Sequence, residues 1–101
     1  MDNKSFGLRL SELRTNKNVS AREMSLQLGQ SPGYINSIEN AASLPSMSSF
    51  FAICDYLQIT PEEFFSVEDR TPDKTRELLI AARHLRRESL EHLIALVKIM
   101  S

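Results

Sequence analysis

Apolar residues recur along this chain at helical spacing and never alternate with period two. Phe6, Leu10 and Leu13 stand at i, i+4 and i+7, one stripe of a helix over about residues 4–16. The stripe stops before Asn18, a residue type that tolerates the left-handed conformation closing many helices. Ser20-Ala21-Arg22-Glu23 reads as a capping box: the Ser hydroxyl accepts from the third backbone N–H, and the Glu carboxylate reaches back. Met24 and Leu28 follow, and Gly29 ends a two-turn helix over about 21–28. Ser31-Pro32 restarts a helix at once, with Ser as N-cap and Pro in the first position, where no N–H is missed. Ile35 and Ile38 are its buried pair, and it spans about 32–39. Between the two helices lie about three residues, the short, Gly-initiated connection of a helix-turn-helix.

A loop from Asn40 to Pro45 comes next. Ser46 then caps a helix that carries Met47, Phe50, Ile53, Cys54 and Leu57. Thr60-Pro61-Glu62-Glu63 is a second capping box, opening a short helix through Phe64 and Phe65. Residues 67–72 are polar, end in Pro and read as a linker. Beyond it, Leu78, Leu79, Ala82 and Leu85 form one stripe, and Leu90, Leu93, Ile94, Val97 and Met100 another. His84 to Glu88 breaks the phase between them, which predicts two helices over about 73–83 and 87–100. The expected fold is all-α: a five-helix unit over 1–66, the linker, and a C-terminal extension of two more helices over 73–101.

Composition narrows the function. A chain of 101 residues, 42% hydrophobic and 25% charged, makes one ordinary domain, burying about 65% of its unfolded surface. Cys54 has no partner for a disulfide, and one Cys with two His cannot fill a four-ligand zinc site. Cys54 reads as a small core residue, and His84 and His92 stand eight apart, off the spacing of a ligand pair. No metal and no cofactor is expected. No apolar run is long enough for a membrane span, and the N-terminus lacks a secretory stretch, so a cytoplasmic setting is expected. No side chains pair as nucleophile and base, so no enzyme is expected. The net charge of −1 argues against a generally basic nucleic-acid coat. Its distribution says more: +1 over residues 1–45, −4 over 46–70 and +2 over 71–101.

Taken in order and spacing, these motifs resemble the lambda-repressor/Cro-like helix-turn-helix family, also called the XRE family. The resemblance covers about residues 4–66. It is carried by Phe6-Gly7, Leu10, Leu13-Arg14, Val19-Ser20, Glu23-Met24-Ser25, Leu28-Gly29, the run Ser31 to Asn40, Leu44-Pro45-Ser46 and Thr60 to Phe65. It implies a transcriptional regulator, a repressor acting on a palindromic DNA operator as a homodimer, in a bacterial or phage setting. The third helix lies in the major groove and the second crosses the backbone. By position, Pro32, Gly33, Tyr34, Asn36 and Ser37 are expected at or beside base edges. Lys17, Ser20, Ala21, Arg22, Ser31, Asn40 and Ser43 are expected at phosphates. Arg14 and Glu39 match the family's ion pair between the first and third helices.

The residues alone fit that picture. A two-turn helix apolar on one side presents the other outward, and here that side is neutral and hydrogen-bonding. Alternatives stay open: the Tyr34 ring packed on a neighbouring helix, or Asn36 and Ser37 as a plain solvated face. The chain also departs from the family pattern. Ala21 stands where a phosphate-bracing Gln is common, Ser25 replaces a small Ala, and Ala41 replaces the Gly that often ends the third helix. Few cations line the expected DNA face, so non-specific affinity should be weak. Leu90, Leu93, Ile94, Val97 and Met100 are expected to pair two copies, with folding back onto the bundle as the alternative. The second functional reading is a protein-interaction module on the same fold, such as an antitoxin-like adaptor.

Overall fold

The computed structural model describes residues 1–101 and contains seven helices and no strand: α1 (Asn3–Asn16), α2 (Ala21–Gln27), α3 (Tyr34–Glu39), α4 (Met47–Leu57), α5 (Pro61–Phe65), α6 (Pro72–Ala82) and α7 (Arg87–Met100). This is the all-α, lambda repressor-like arrangement expected. The caps read in the sequence set the boundaries. Ser46 accepts from the Ser49 N–H at 3.2 Å, and Asp2, which the sequence pattern did not single out, from the Ser5 N–H at 2.8 Å. Thr60 and Glu63 close the full reciprocal box, at 3.1 and 2.8 Å. At Ser20 only half the box forms. Its hydroxyl accepts from the Glu23 N–H at 3.0 Å, but the Glu23 carboxylate accepts from Gln27, one turn on, instead of reaching back.

The core gathers the predicted stripes. Leu10, Met24, Ile35, Ile38, Ile53, Cys54, Leu57 and Phe64 are all sealed from solvent. Phe64 stacks against Phe6 at 4.8 Å and meets Phe50 edge-on at 5.2 Å, both favourable ring arrangements. Ile59, outside any predicted stripe, is also buried, whereas Met47 and Phe65 lie 66% and 48% exposed at the bundle surface. Burial pushes the Cys54 thiol up to about 11. Reactivity belongs to the thiolate, so this cysteine is an inert core residue.

Arg9 is the one charged side chain inside the bundle. Its guanidinium donates to the carbonyls of Glu63, at 2.8 Å, Ser66, at 2.9 Å, and Phe64, so it caps the end of α5 from α1. Desolvation lowers its pKa, with Glu12 and Asp69 opposing that shift.

The segment expected as a plain linker is tied down. Asn16 donates to the Arg70 carbonyl, Pro72 is buried as the first residue of α6, and Lys17 meets Asp73 at 2.6 Å. Arg76 pairs with Glu63 and donates to the Gln58 carbonyl at 2.8 Å. Only residues 72–76 of α6 are docked this way. No residue of α7 is fully buried. The chain extends over 51 × 22 × 22 Å with a radius of gyration of 16.4 Å, above the roughly 13 Å of a compact domain this size.

Docking of α6 has a pH signature. Burial pushes the Asp73 carboxyl up, but the hydrogen bond and charge of Lys17 outweigh it, holding the pKa below its ordinary 3.8. A group depressed in the folded state contributes stability above its unfolded pKa and loses it as pH falls through the folded one. The α6 amide resonances are therefore expected to shift in a step below pH 3.8, and Asp73→Asn should abolish that step.

Candidate nucleic-acid interface

The turn between α2 and α3 is built by Gly29. It adopts φ +74, and the paired bonds Gly29 N–H to Leu26 C=O, at 3.0 Å, and Gln30 N–H to Ser25 C=O, at 2.9 Å, form a Schellman closure. The chain then departs from expectation. Ser31 is not the N-cap of α3, and Pro32 is not its first helical residue. The Ser31 carbonyl accepts from the Tyr34 N–H at 3.1 Å in a separate turn, and Gly33 becomes the N-cap, with no side-chain cap bond. The cap function passes to another helix. Ser25, buried on α2, accepts from the Ile35 N–H at 3.0 Å while donating to the Ala21 carbonyl at 2.7 Å. One hydroxyl thus joins the two helices. Ser25→Ala leaves a buried N–H without a partner and is expected to cost about 1–2 kcal/mol, measured by urea unfolding.

Three further devices fix α3. Gly7 of α1 lies so close to its last turn that a Cβ would sit 2.6 Å from the carbonyl oxygens of Ile38 and Glu39. No side chain fits there. Arg14 grips Glu39 with two hydrogen bonds, at 2.7 and 2.9 Å, and donates to the Val19 carbonyl at 2.9 Å. The hydrogen bond to Glu39 raises the Arg14 pKa against the opposing effect of desolvation. The end of α3 is closed by Ala41 at φ +62, with Ala42 N–H bonded to Ser37 C=O at 3.0 Å. This left-handed Ala carries the strain expected where Gly is usual.

With α3 held on its Ile35 and Ile38 side, the opposite side opens outward. Pro32, Gly33 and Asn36 are exposed and, with Ala21 and Arg22, line a shallow groove where α2 and α3 meet. Ser31, Asn40 and Ser43 are exposed too. Ser37 is half-buried, and its hydroxyl lies 3.0 Å from that of Ser43, which ties α3 to the loop after it. Arg22 has no carboxylate partner and keeps its charge for the groove. Ser20, at the head of α2, spends its hydroxyl on the cap.

Two expected site residues are placed differently. Lys17 turns its ammonium toward α6, onto Asp73 and the Gln58 amide at 3.4 Å, so its charge is engaged away from the groove. Tyr34 packs its ring on the core, and its hydroxyl is buried without a partner. In this conformation it offers no donor to a base. Gly7 and Ser25, which position α3, were not assigned those roles by sequence reasoning, and neither was Arg9, which caps α5. Gly7 carried a signal as a glycine inside a helical stripe, and Ser25 as a hydroxyl where the family pattern has a small Ala.

Two short helices joined by a Gly turn, the second locked by a hydroxyl, a backbone contact and an ion pair, define a helix-turn-helix protein. Residues 10–64, more than half of the chain, match the model of the Helix-turn-helix family. The chain belongs to that family, in its lambda repressor-like branch, and is a DNA-binding helix-turn-helix protein of the regulator type. No curated protein and no solved structure matches it. No helix is long and apolar enough to cross a membrane.

Proposed function

We propose that this chain is a transcriptional repressor that binds a palindromic operator as a homodimer, with α3 in the major groove, and blocks polymerase without catalysis. The observation that carries the reading is the exposed, uncharged edge of α3, with Asn36 foremost, held rigidly against α1 and α2. An amide side chain suits an adenine, giving and taking one hydrogen bond in the major groove. Hydroxyls at Ser31 and Ser43 and the charge of Arg22 serve the flanking backbone. Such a regulator acts in the cytoplasm, on bacterial or phage DNA.

Residues 1–66 form the DNA-binding unit in this reading, 67–72 the connector and 73–101 the dimerisation element. Support for the last comes from α7, where Ile94, Val97 and Met100 stay 46%, 46% and 76% exposed, beside half-buried Leu90 and Leu93. A helix so apolar needs a cover. Two-fold pairing sets two reading helices about 34 Å apart, one turn of DNA. It also doubles the few phosphate contacts each copy supplies. Light scattering tests the assembly. The expected result is two chains in free solution and two chains per operator duplex; one chain per duplex would overturn the dimeric reading.

A further inference from the structure

The exposed strip along α6 has an order of charges that selects its own partner. At the start of the helix stand Glu68 and Asp69, neither in an ion pair. The cations near them are already spent inside the chain: Arg70 on Glu12, Lys74 on Glu77 and Arg76 on Glu63. At the far end, Arg83 and Arg86 are exposed and make no ion pair, while Arg87 pairs with Glu91 and Glu88 beside it is exposed. Between the two ends lie Leu79 and Ile80, 54% and 51% exposed. A single groove joins Asp69, Leu79, Ile80 and Arg83 along this face.

We propose that this strip is a contact between two copies of the chain, with the two α6 helices antiparallel about a two-fold axis. The inference rests on the dimer reading above and adds its orientation. A surface that reads acidic, apolar, basic is complementary to itself when turned end for end, which is the condition for an isologous contact. The helix spans Pro72–Ala82, about 16 Å of rise. Full antiparallel overlap therefore sets residues 68–71 of one copy against 83–86 of the other. Both unpaired acid ends then meet both unpaired basic ends. Parallel pairing sets Glu68 against Glu68 and Arg86 against Arg86, which repel.

The available area fits. Eight large apolar side chains of α6 and α7, with Leu85 in the turn between them, are between 43% and 80% exposed. At on the order of 80 Å² each, they approach the roughly 800 Å² per partner of a stable interface. α7 supplies most of that apolar area, and the α6 strip sets the direction.

The test uses Glu68→Cys and Arg86→Cys, each in the full chain, with a short bis-maleimide. Both side chains are exposed and neither makes a side-chain hydrogen bond or ion pair within the chain, and Cys54 is buried and does not compete. The expected result is a covalent dimer from the mixture of the two variants, and little from either alone. Cross-linking of Glu68→Cys with itself signals parallel pairing and overturns the proposal. A dimer by light scattering that gives no 68–86 product removes the antiparallel strip but leaves the dimer. A monomer at all concentrations removes both. As a second readout, Glu68→Lys or Arg86→Glu alone is expected to weaken dimerisation about tenfold, and the two together in one chain to restore it. Failure of that restoration also counts against the strip.

Discussion

Asn36→Ala together with Ser37→Ala is expected to weaken binding to the selected operator about a hundredfold or more, while unfolding and dimerisation stay as in the unchanged protein. Asn36 is fully outside the bundle, and its amide makes no hydrogen bond within the chain, so removing it costs the fold nothing. Ser37 contributes one hydroxyl contact, to Ser43 at 3.0 Å on the surface. A well-placed base contact discriminates by about 1–3 kcal/mol, and two such losses reach the hundredfold range. Binding to random DNA should change little, since the phosphate-facing groups stay. Fluorescence anisotropy on cognate and random duplexes separates the two effects. Unchanged cognate affinity in the double variant would show that α3 does not read the bases.

Arg9→Met is expected to lower stability by about 3 kcal/mol, a large effect for one side chain. The guanidinium is buried and serves three carbonyls at the end of α5. Two of them keep another donor, because Glu63 C=O accepts from Ser66 N–H and Ser66 C=O from Asp69 N–H. The Phe64 carbonyl has no such second donor among the turn and loop bonds and is left buried and unpaired, at a cost of about 1–3 kcal/mol. Release of the α5 end loosens Phe64, the ring that both Phe6 and Phe50 contact. The melting temperature should fall by about 15 °C, by the usual scaling for a domain of this size. Arg9→Lys should recover only part of this, since one ammonium cannot span three carbonyls in the geometry of a planar fork. A change of less than a degree would mean that α5 holds without this cap.

The sequence carried the features that local chemistry decides. Ser46 and the Thr60 box act within one turn of themselves, so their residue types reveal them. Asn18 and Ala41 sit in the left-handed conformation, as their positions after helical stripes implied. The start of α3 was misread for a physical reason. Ser31-Pro32 is a sound helix-start signal in isolation, but Ser25 captures the Ile35 N–H across the turn, and the chain spends Pro32 and Gly33 on reaching it. Arg9 was illegible because its partners lie 54 to 57 residues away. Lys17 was read as a groove cation, yet Asp73 lies 56 residues along and claims it. Arg14 and Glu39 lie 25 residues apart and were named only because the family pattern carries them.

The most direct test of the account is selection of bound duplexes from a random library, repeated at low and moderate salt. The expected result is an inverted repeat whose half-sites lie about one helical turn apart, with adenine prominent in each half, enriched at both salt concentrations. Recovery of no motif, with weak binding that vanishes at moderate salt, would contradict operator recognition by α3 and turn attention to a protein partner for the same face.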